Sequence, residues 1–298
     1  MKLAFFADEH FRSTVPVART DEYLENQHKL ILWLGELSKT HTIITSGDTV
    51  HHARERAKPL DFANYLIKYL PHRYGVLGNH DLLYHNRELL DSTTMGNLIN
   101  AGKFTVIPPE GVSLEENLFL YGYSYGDEIK HLKPLNPLMA KKLQTHIAVY
   151  HGYVSMEENP MIDGKVAKDI LKEFPEYDII LTGDNHQGFI VIDDGRVLIN
   201  PGSIKKDNAD QMEHTPTYYT YDTVSRKIDY FAIPDFGTVL VRDYLEKEEI
   251  RNKRLDALGE KFEQVKEITL DFEENLNMFC EHNNVNPDVH ARVLEWMQ

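Results

Sequence analysis

The sequence predicts an α/β protein with a mixed sheet and a small C-terminal appendage. Three observations carry this. Short β-rich apolar runs alternate with helix-periodic stretches early in the chain. Later strand-like runs follow one another with no helix between them, which indicates hairpins. After Pro234 the pattern changes to a short α+β segment.

The first strand is read in KLAFFADEH, which ends at Asp8, Glu9 and His10. Residues 20–37 place Tyr23, Leu24, Leu30, Ile31 and Leu34 at helical spacing. HTIITSGDTVHH is a strand ending at Gly47 and Asp48, and residues 60–70 carry Phe62, Leu66, Ile67 and Leu70 on a second helix. RYGVLGNHD ends at Gly78, Asn79, His80 and Asp81. THIAVYHGYV runs to His151, and YDIILTGDNH ends at Asp184 and His186. GFIVID, RVLINPGS, TYYTYD and KIDYFAI form the hairpin-rich remainder. The expected division is residues 1–234 and 235–298. In the second part, residues 236–241 read as a strand. Asp243 and Glu246 have capping-box spacing ahead of a helix bearing Leu255, Leu258, Phe262 and Val265. VKEITLDF reads as a strand, then EENLNMFCEHN and NPDVHARVLEWM as short helices, the second with Pro287 near its start.

Composition bounds the function. At 298 residues with 42% apolar and 27% charged residues, the chain can bury a sizeable core. Cys280 is the only cysteine, so no internal disulfide framework and no cysteine zinc cluster can form. The apolar run at residues 3–7 is too short for a signal peptide, and no run approaches the ~20 apolar residues of a membrane span. A cytoplasmic, reducing location without membrane association is expected. A net charge of −15 argues against general phosphate-backbone binding, though not against a site made positive by bound metal.

Five strand ends in order carry Asp8, His10, Asp48, Asn79, His80, Asp81, His151, Asp184 and His186. Each alone reads as a turn or a hydrogen-bonded histidine. Together they suit a shared crevice at the carboxyl ends of α/β strands. Carboxylate, amide oxygen and imidazole without thiolate is a donor set for Mn²⁺, Mg²⁺, Fe²⁺ or Zn²⁺. Paired ions of this kind clamp both oxygens of an in-line displacement at phosphorus.

ADEH, GDTVH, GNHD, YHG and GDNH resemble the ordered motifs of the calcineurin-like metallophosphoesterases, over residues 1–234. GDTVHHARERAKP and LINPGSIKKDNADQMEHTPTYYTYD resemble the SbcD-type DNA repair nucleases within that superfamily. The resemblance implies a four-layered α/β/β/α sandwich with mixed sheets, capped by the C-terminal segment. It implies two divalent ions, Mn²⁺ foremost. Asp8, His10 and His186 would hold the first ion, Asn79 and His151 the second, and Asp48 would bridge them. His80 would be the acid that protonates the leaving oxygen, Asp81 would orient it, and His51 would face substrate. The family usually has histidine where this chain has Asp184. A carboxylate there is read as a ligand swap on the second ion favouring harder cations, against the plainer reading of a turn residue.

The implied activity is phosphodiester hydrolysis on DNA, by exo- or endonucleolytic cutting in repair or recombination. The partners expected with it are an SbcC-type ATPase and a second copy of this chain. The alternatives are a phosphatase or small-molecule or cyclic-nucleotide phosphodiesterase, and a non-catalytic metal-binding scaffold. The remaining histidines, from His28 to His290, read as surface or packing residues, with His52 ambiguous beside His51. Arg54, Arg56, Lys58, Lys205 and Lys206 read as solvated charge or phosphate contacts, and Trp33 and Trp296 as packing.

Overall fold

The computed structural model describes residues 1–55, 59–132, 144–158, 164–242 and 272–295. Two compact units divide the chain at Met1–Val241 and Arg242–Gln298.

The first unit is built on two six-stranded mixed sheets. In the first, β1 (Lys2–Phe6), β2 (Thr42–Thr45), β3 (Arg73–Gly75) and β4 (Phe104–Val106) run parallel. The hairpin of β13 (Thr217–Asp222) and β14 (Lys227–Ala232) pairs antiparallel to β1. The second sheet has β6 (Leu118–Tyr123), β7 (Thr145–His151), β10 (Ile179–Gly183) and β12 (Arg196–Asn200) in parallel. Antiparallel β5 (Val112–Glu115) and β11 (Phe189–Asp193) close its edges. Asp194 and Gly195 both take positive φ in the two-residue turn from β11 to β12, the conformation of a type I′ hairpin. A short parallel pair, β8 (Val154–Ser155) and β9 (Lys165–Val166), stands apart.

Period-two alternation sorts the strand side chains into layers. Leu3 and Phe5 of β1 meet Leu120, Ile147, Val149 and Leu181 of the second sheet in a core between the sheets. Ala4 and Phe6 point the other way. They pack under Leu30, Ile31 and Leu34 of α1 (Tyr23–Leu37), Leu66 of α2 (Pro59–Tyr69) and Leu98 of α3 (Thr94–Asn100). On the far side, Ala148, Ile180 and Leu198 receive Ile170 and Leu171 of α4 (Ala167–Glu173). The order is helix, sheet, sheet, helix, as the resemblance implied.

Two local expectations are corrected. Leu24 does not face the core; it is exposed, and Asn26 and Gln27 are buried on α1 instead. Residues 236–241 form no strand. The Asp235 carboxylate accepts from the N–H groups of Gly237 and Thr238, and Gly237 takes φ +97, so the chain turns. Only Leu240 bridges, to Arg19.

In the second unit, α5 (Phe272–His282) and α6 (Pro287–Glu295) match the two expected helices. Asn286 accepts from the Asp288 N–H at 2.9 Å, capping α6, whose first residue is Pro287. The Asp243 capping box, the helix behind it, VKEITLDF and Trp296 lie outside the described residues. Among the described residues no helix is long and apolar enough to cross a membrane.

Candidate metal centre

The carboxyl ends of β1, β2, β3, β7 and β10 meet where the two sheets abut. The Asp8 N–H donates to the Gly47 carbonyl at 3.2 Å, and the His10 N–H to the Asp48 carbonyl at 2.8 Å. Across the sheets, the Ser46 hydroxyl donates to the Thr182 carbonyl at 2.8 Å, and the Asp184 N–H donates to Asp8 Oδ1 at 2.9 Å. Asp8, His10, Asp48 and Asp184 all sit in the left-handed region, at φ 49°, 46°, 53° and 74°. Such backbone costs of order 1 kcal/mol or more per residue and persists where surrounding contacts enforce it. Gly78 is required by close approach: a Cβ there would collide with the Asp48 carboxylate.

Asp8, His10 and His186 bring donor atoms within 4.8 Å of one another, and so do Asp8, Asp48 and His151. His10 Nε2 lies 3.1 Å from His186 Nε2 and 3.7 Å from Asp48 Oδ2. His151 Nδ1 donates to the Ser46 carbonyl at 2.7 Å, so the neutral ring presents a lone pair at Nε2. That lone pair faces Asn79 Oδ1 at 3.0 Å and Asp48 Oδ1 at 3.7 Å. This set of atoms can close on a cation where it otherwise closes on a proton at Nε2. Asp8 Oδ2, Asp48 Oδ2 and His10 Nδ1 are buried with no hydrogen-bond partner. Burial pushes Asp8 up to about 8, with His151 opposing and Asp48 adding to the rise. Burial likewise pushes Asp48 up to about 8. Burial and the neighbouring histidines hold His10 well below its ordinary value, hence neutral. A buried, acceptor-rich, thiolate-free cluster fits hard or borderline divalent cations.

His10, His51 and His80 form a third group within 4.8 Å. The His80 N–H donates to Asp48 Oδ1 at 2.9 Å, and His80 Nδ1 donates to the His51 carbonyl at 2.6 Å. Nε2 is therefore the ring atom left for a reacting group. This corrects the role expected of Asp81. Its carboxylate is fully buried and accepts from the Gly78 N–H at 2.9 Å and the Val50 N–H at 3.0 Å. Burial and Asp48 push it up to about 7. The turn that returns the Asp81 N–H to the Gly78 carbonyl folds the side chain beneath the loop. Asp81 thus fixes the loop carrying Asn79 and His80, while the His51 backbone orients the His80 ring. The His51 ring stacks on His80 at 5.3 Å, and both line an open cleft of about 580 Å³ with His52, Arg54, Asn79 and Tyr84. His51 and His52 both reach the cleft, but only His51 joins the histidine group.

The family model described as calcineurin-like phosphoesterase matches residues 1–188, a span that holds every residue of this cluster. The chain belongs to the calcineurin-like phosphoesterase family. Members of the family are hydrolases that use divalent metal ions. No curated protein matches the chain. Among solved structures, it is similar to an archaeal phosphodiesterase, at 15% identity and TM-score 0.39, covering 78% of this chain and 99% of that one. It is also similar to the calcineurin-like phosphoesterase YfkN from Bacillus subtilis, at 12% identity and TM-score 0.43, covering 87% and 98%. A putative 5′-nucleotidase from Staphylococcus aureus is similar at 14% identity and TM-score 0.47, covering 86% of this chain and 58% of that one.

Around this phosphoesterase site, Asp184 is half-buried and belongs to none of the three donor groups. Its backbone is bonded to Asp8, and its charge raises Asp8, Asp48 and the Tyr150 phenol. Lys205 is not solvated; it is buried between the Tyr23 hydroxyl, at 2.9 Å, and the Asp207 carboxylate. Arg54 is exposed and donates to the Ser92 carbonyl, while Arg56 and Lys58 lie outside the described residues.

Glu9 stands at the first strand end and Arg73 opens the RYG run, but nothing in the sequence pairs them. Glu9, between Asp8 and His10, pairs with Arg73 of β3, and both side chains are fully buried. Arg73→Met is expected to destabilise the fold by about 3–5 kcal/mol, since it strands a buried carboxylate. Glu9→Gln combined with Arg73→Met should recover much of that loss. Urea midpoints of the single and double variants check this, and an additive double variant would count against a coupled pair.

Proposed function

We propose that the protein is a phosphodiester hydrolase working with two divalent ions, and that DNA is its substrate in the manner of SbcD-type nucleases. The observation that carries the reading is the His80 ring. Its Nδ1 is committed to the His51 carbonyl, and the ring groups with His10 and His51, His10 being shared with the Asp8–His10–His186 set. In this reading Asp8, His10 and His186 would hold one ion, Asn79 and His151 the other, and Asp48 would serve both. Asp184 completes the second set. Mn²⁺ is the proposed metal, ahead of Mg²⁺, Fe²⁺ and Zn²⁺. Bound there, the ions supply an activated water and charge stabilisation at phosphorus.

The chain's own part is narrower. His80 holds a proton at Nε2 for the departing oxygen. The His51 carbonyl orients the ring through Nδ1–H, so His80 serves as the acid only when it is protonated at both nitrogens, and Asp81 and Gly78 keep the loop close to Asp48. An SbcC-type ATPase is the partner proposed under the DNA reading. The net charge of −15 favours a second reading, a small-molecule phosphodiesterase that avoids a long polyanion. Hydrolysis of bis(p-nitrophenyl) phosphate with Mn²⁺ tests the shared chemistry. Comparing double-stranded DNA with cyclic nucleotides separates the two substrates, and no Mn²⁺-dependent hydrolysis of any of them would refute both.

Asp184 has its own test. Asp184→Ala should weaken the second ion first, and Asp184→His should keep activity while shifting preference from Mn²⁺ towards Zn²⁺. If wild type and both variants respond alike to the two metals, Asp184 is a turn residue only.

A further inference from the structure

We infer that Arg12 binds a second anionic group of the substrate, beside the scissile phosphate, and so selects esters that carry a neighbouring phosphate. The inference rests on the phosphodiesterase reading above and specifies its substrate.

The placement of Arg12 comes from the backbone. The Phe11 carbonyl accepts from the His51 N–H at 2.9 Å, so the peptide leading into Arg12 is bonded directly to the histidine that lines the cleft. Gln27 of α1 is buried, and it clamps both polar groups of the Arg12 backbone. Its Oε1 accepts from the Arg12 N–H at 3.1 Å, and its Nε2 donates to the Arg12 carbonyl at 2.9 Å. The next residue, Ser13, donates its N–H and its hydroxyl to the two oxygens of Glu55, a residue of the cleft wall. The Arg12 backbone is therefore held beside the cleft wall by contacts that do not use its charge.

Among the described residues the guanidinium bonds a hydroxyl and no carboxylate. Nε and Nη2 reach Thr14 Oγ1 at 3.2 and 3.1 Å. That is unusual company in a chain with 47 acidic and 32 basic side chains. The nearby cations are committed elsewhere: Arg19 donates to both oxygens of Asp21, and Lys205 pairs with Asp207. Arg54 also lines the cleft, but it is exposed and donates to Ser92. A guanidinium fork with no carboxylate partner among the described residues, carried on backbone bonded to two residues of the cleft wall, is a receptor for a phosphate or carboxylate oxygen pair. The reacting phosphate belongs with the histidine and carboxylate cluster, so the Arg12 anion is a second one. Oligonucleotides carry such a neighbour, whereas a cyclic mononucleotide does not.

The test uses the full chain loaded with Mn²⁺ and phosphorothioate thymidine dinucleotides, which resist cleavage. Affinity is measured for the dinucleotide with a 5′ phosphate, with a 3′ phosphate and with neither. Wild type should bind at least one phosphorylated form about tenfold more tightly than the bare form, the scale of a charged hydrogen bond. Arg12→Met should abolish that preference, and Arg12→Lys should restore part of it. Both substitutions leave the Gln27 clamp in place, because it holds only backbone atoms. Lys29→Met removes an exposed charge paired with Glu25 on α1 and should leave the preference intact. The inference is overturned if wild type shows no preference, if Arg12→Met retains it, or if Lys29→Met loses it equally. Failure of the hydrolytic reading is distinguishable: the Arg12-dependent preference would hold while the unmodified dinucleotides went uncleaved.

Discussion

His80→Ala is expected to bind two equivalents of divalent metal and to hydrolyse a dinucleotide roughly 10²- to 10⁴-fold more slowly, the range for a lost general acid. The expectation follows from how the ring is held. Nδ1 donates to the His51 carbonyl at 2.6 Å, which leaves Nε2 as the only ring atom able to deliver a proton. The side chain contributes to the His10–His51–His80 group, yet the two groups built on Asp8 close without it. The leaving group supplies the discriminating measurement. A nucleoside alkoxide needs protonation as it departs, whereas p-nitrophenolate is stable without it. The His80→Ala penalty should therefore be large on a dinucleotide and much smaller on bis(p-nitrophenyl) phosphate. Equal penalties on both, or loss of one metal equivalent in a calorimetric titration, would remove His80 from the acid role.

What could be read from the residues, and what could not, divides along a physical line. Polar residues placed directly after apolar strand runs are visible in one dimension, so Asp8, Asp48, His80, His151 and His186 stood out before any fold was known. Their convergence required the parallel order of β1, β2 and β3 against β7 and β10, which follows from sheet packing over long sequence separations. Strand β4, of three residues and with no polar motif behind it, leaves no trace in the sequence, and β5, β6, α3 and α4 are not evident there either. Side-chain direction inside a turn was also hidden. Asp81 follows His80 in sequence, but the turn sends its carboxylate to Gly78 and Val50 and not to the ring. Lys205 shows the same limit: nothing in the run after Pro201 and Gly202 indicates that its ammonium is buried against Tyr23 and Asp207. Arg12 did leave a signal, a base two residues beyond His10. Its meaning depended on finding that no carboxylate among the described residues answers it.

Asp48→Asn is expected to weaken both metal equivalents together and to abolish most hydrolysis. The two oxygens of Asp48 are turned to different groups. Oδ1 lies 3.7 Å from His151 Nε2, on the side of Asn79, while Oδ2 lies 3.7 Å from His10 Nε2, on the side of His186. One carboxylate thus faces both donor sets, and an amide offers a single neutral oxygen in its place. The other half of the amide presents N–H donors, which repel a cation. Each affinity should fall about tenfold or more, comparable to losing a charged contact. Stability should move the opposite way in metal-free protein. Asp48 is 1% exposed, with Oδ2 lacking any hydrogen-bond partner, so its charge is a cost until a cation arrives. Asp48→Asn removes that charge while keeping an acceptor for the His80 N–H. Metal-free Asp48→Asn should therefore melt at or above the wild-type temperature, and Mn²⁺ should raise the wild-type melting temperature far more than that of the variant. A variant that loses one metal equivalent and keeps the other at full affinity would show that Asp48 serves a single ion. A metal-free variant that melts well below wild type would show that the carboxylate is there to hold the fold.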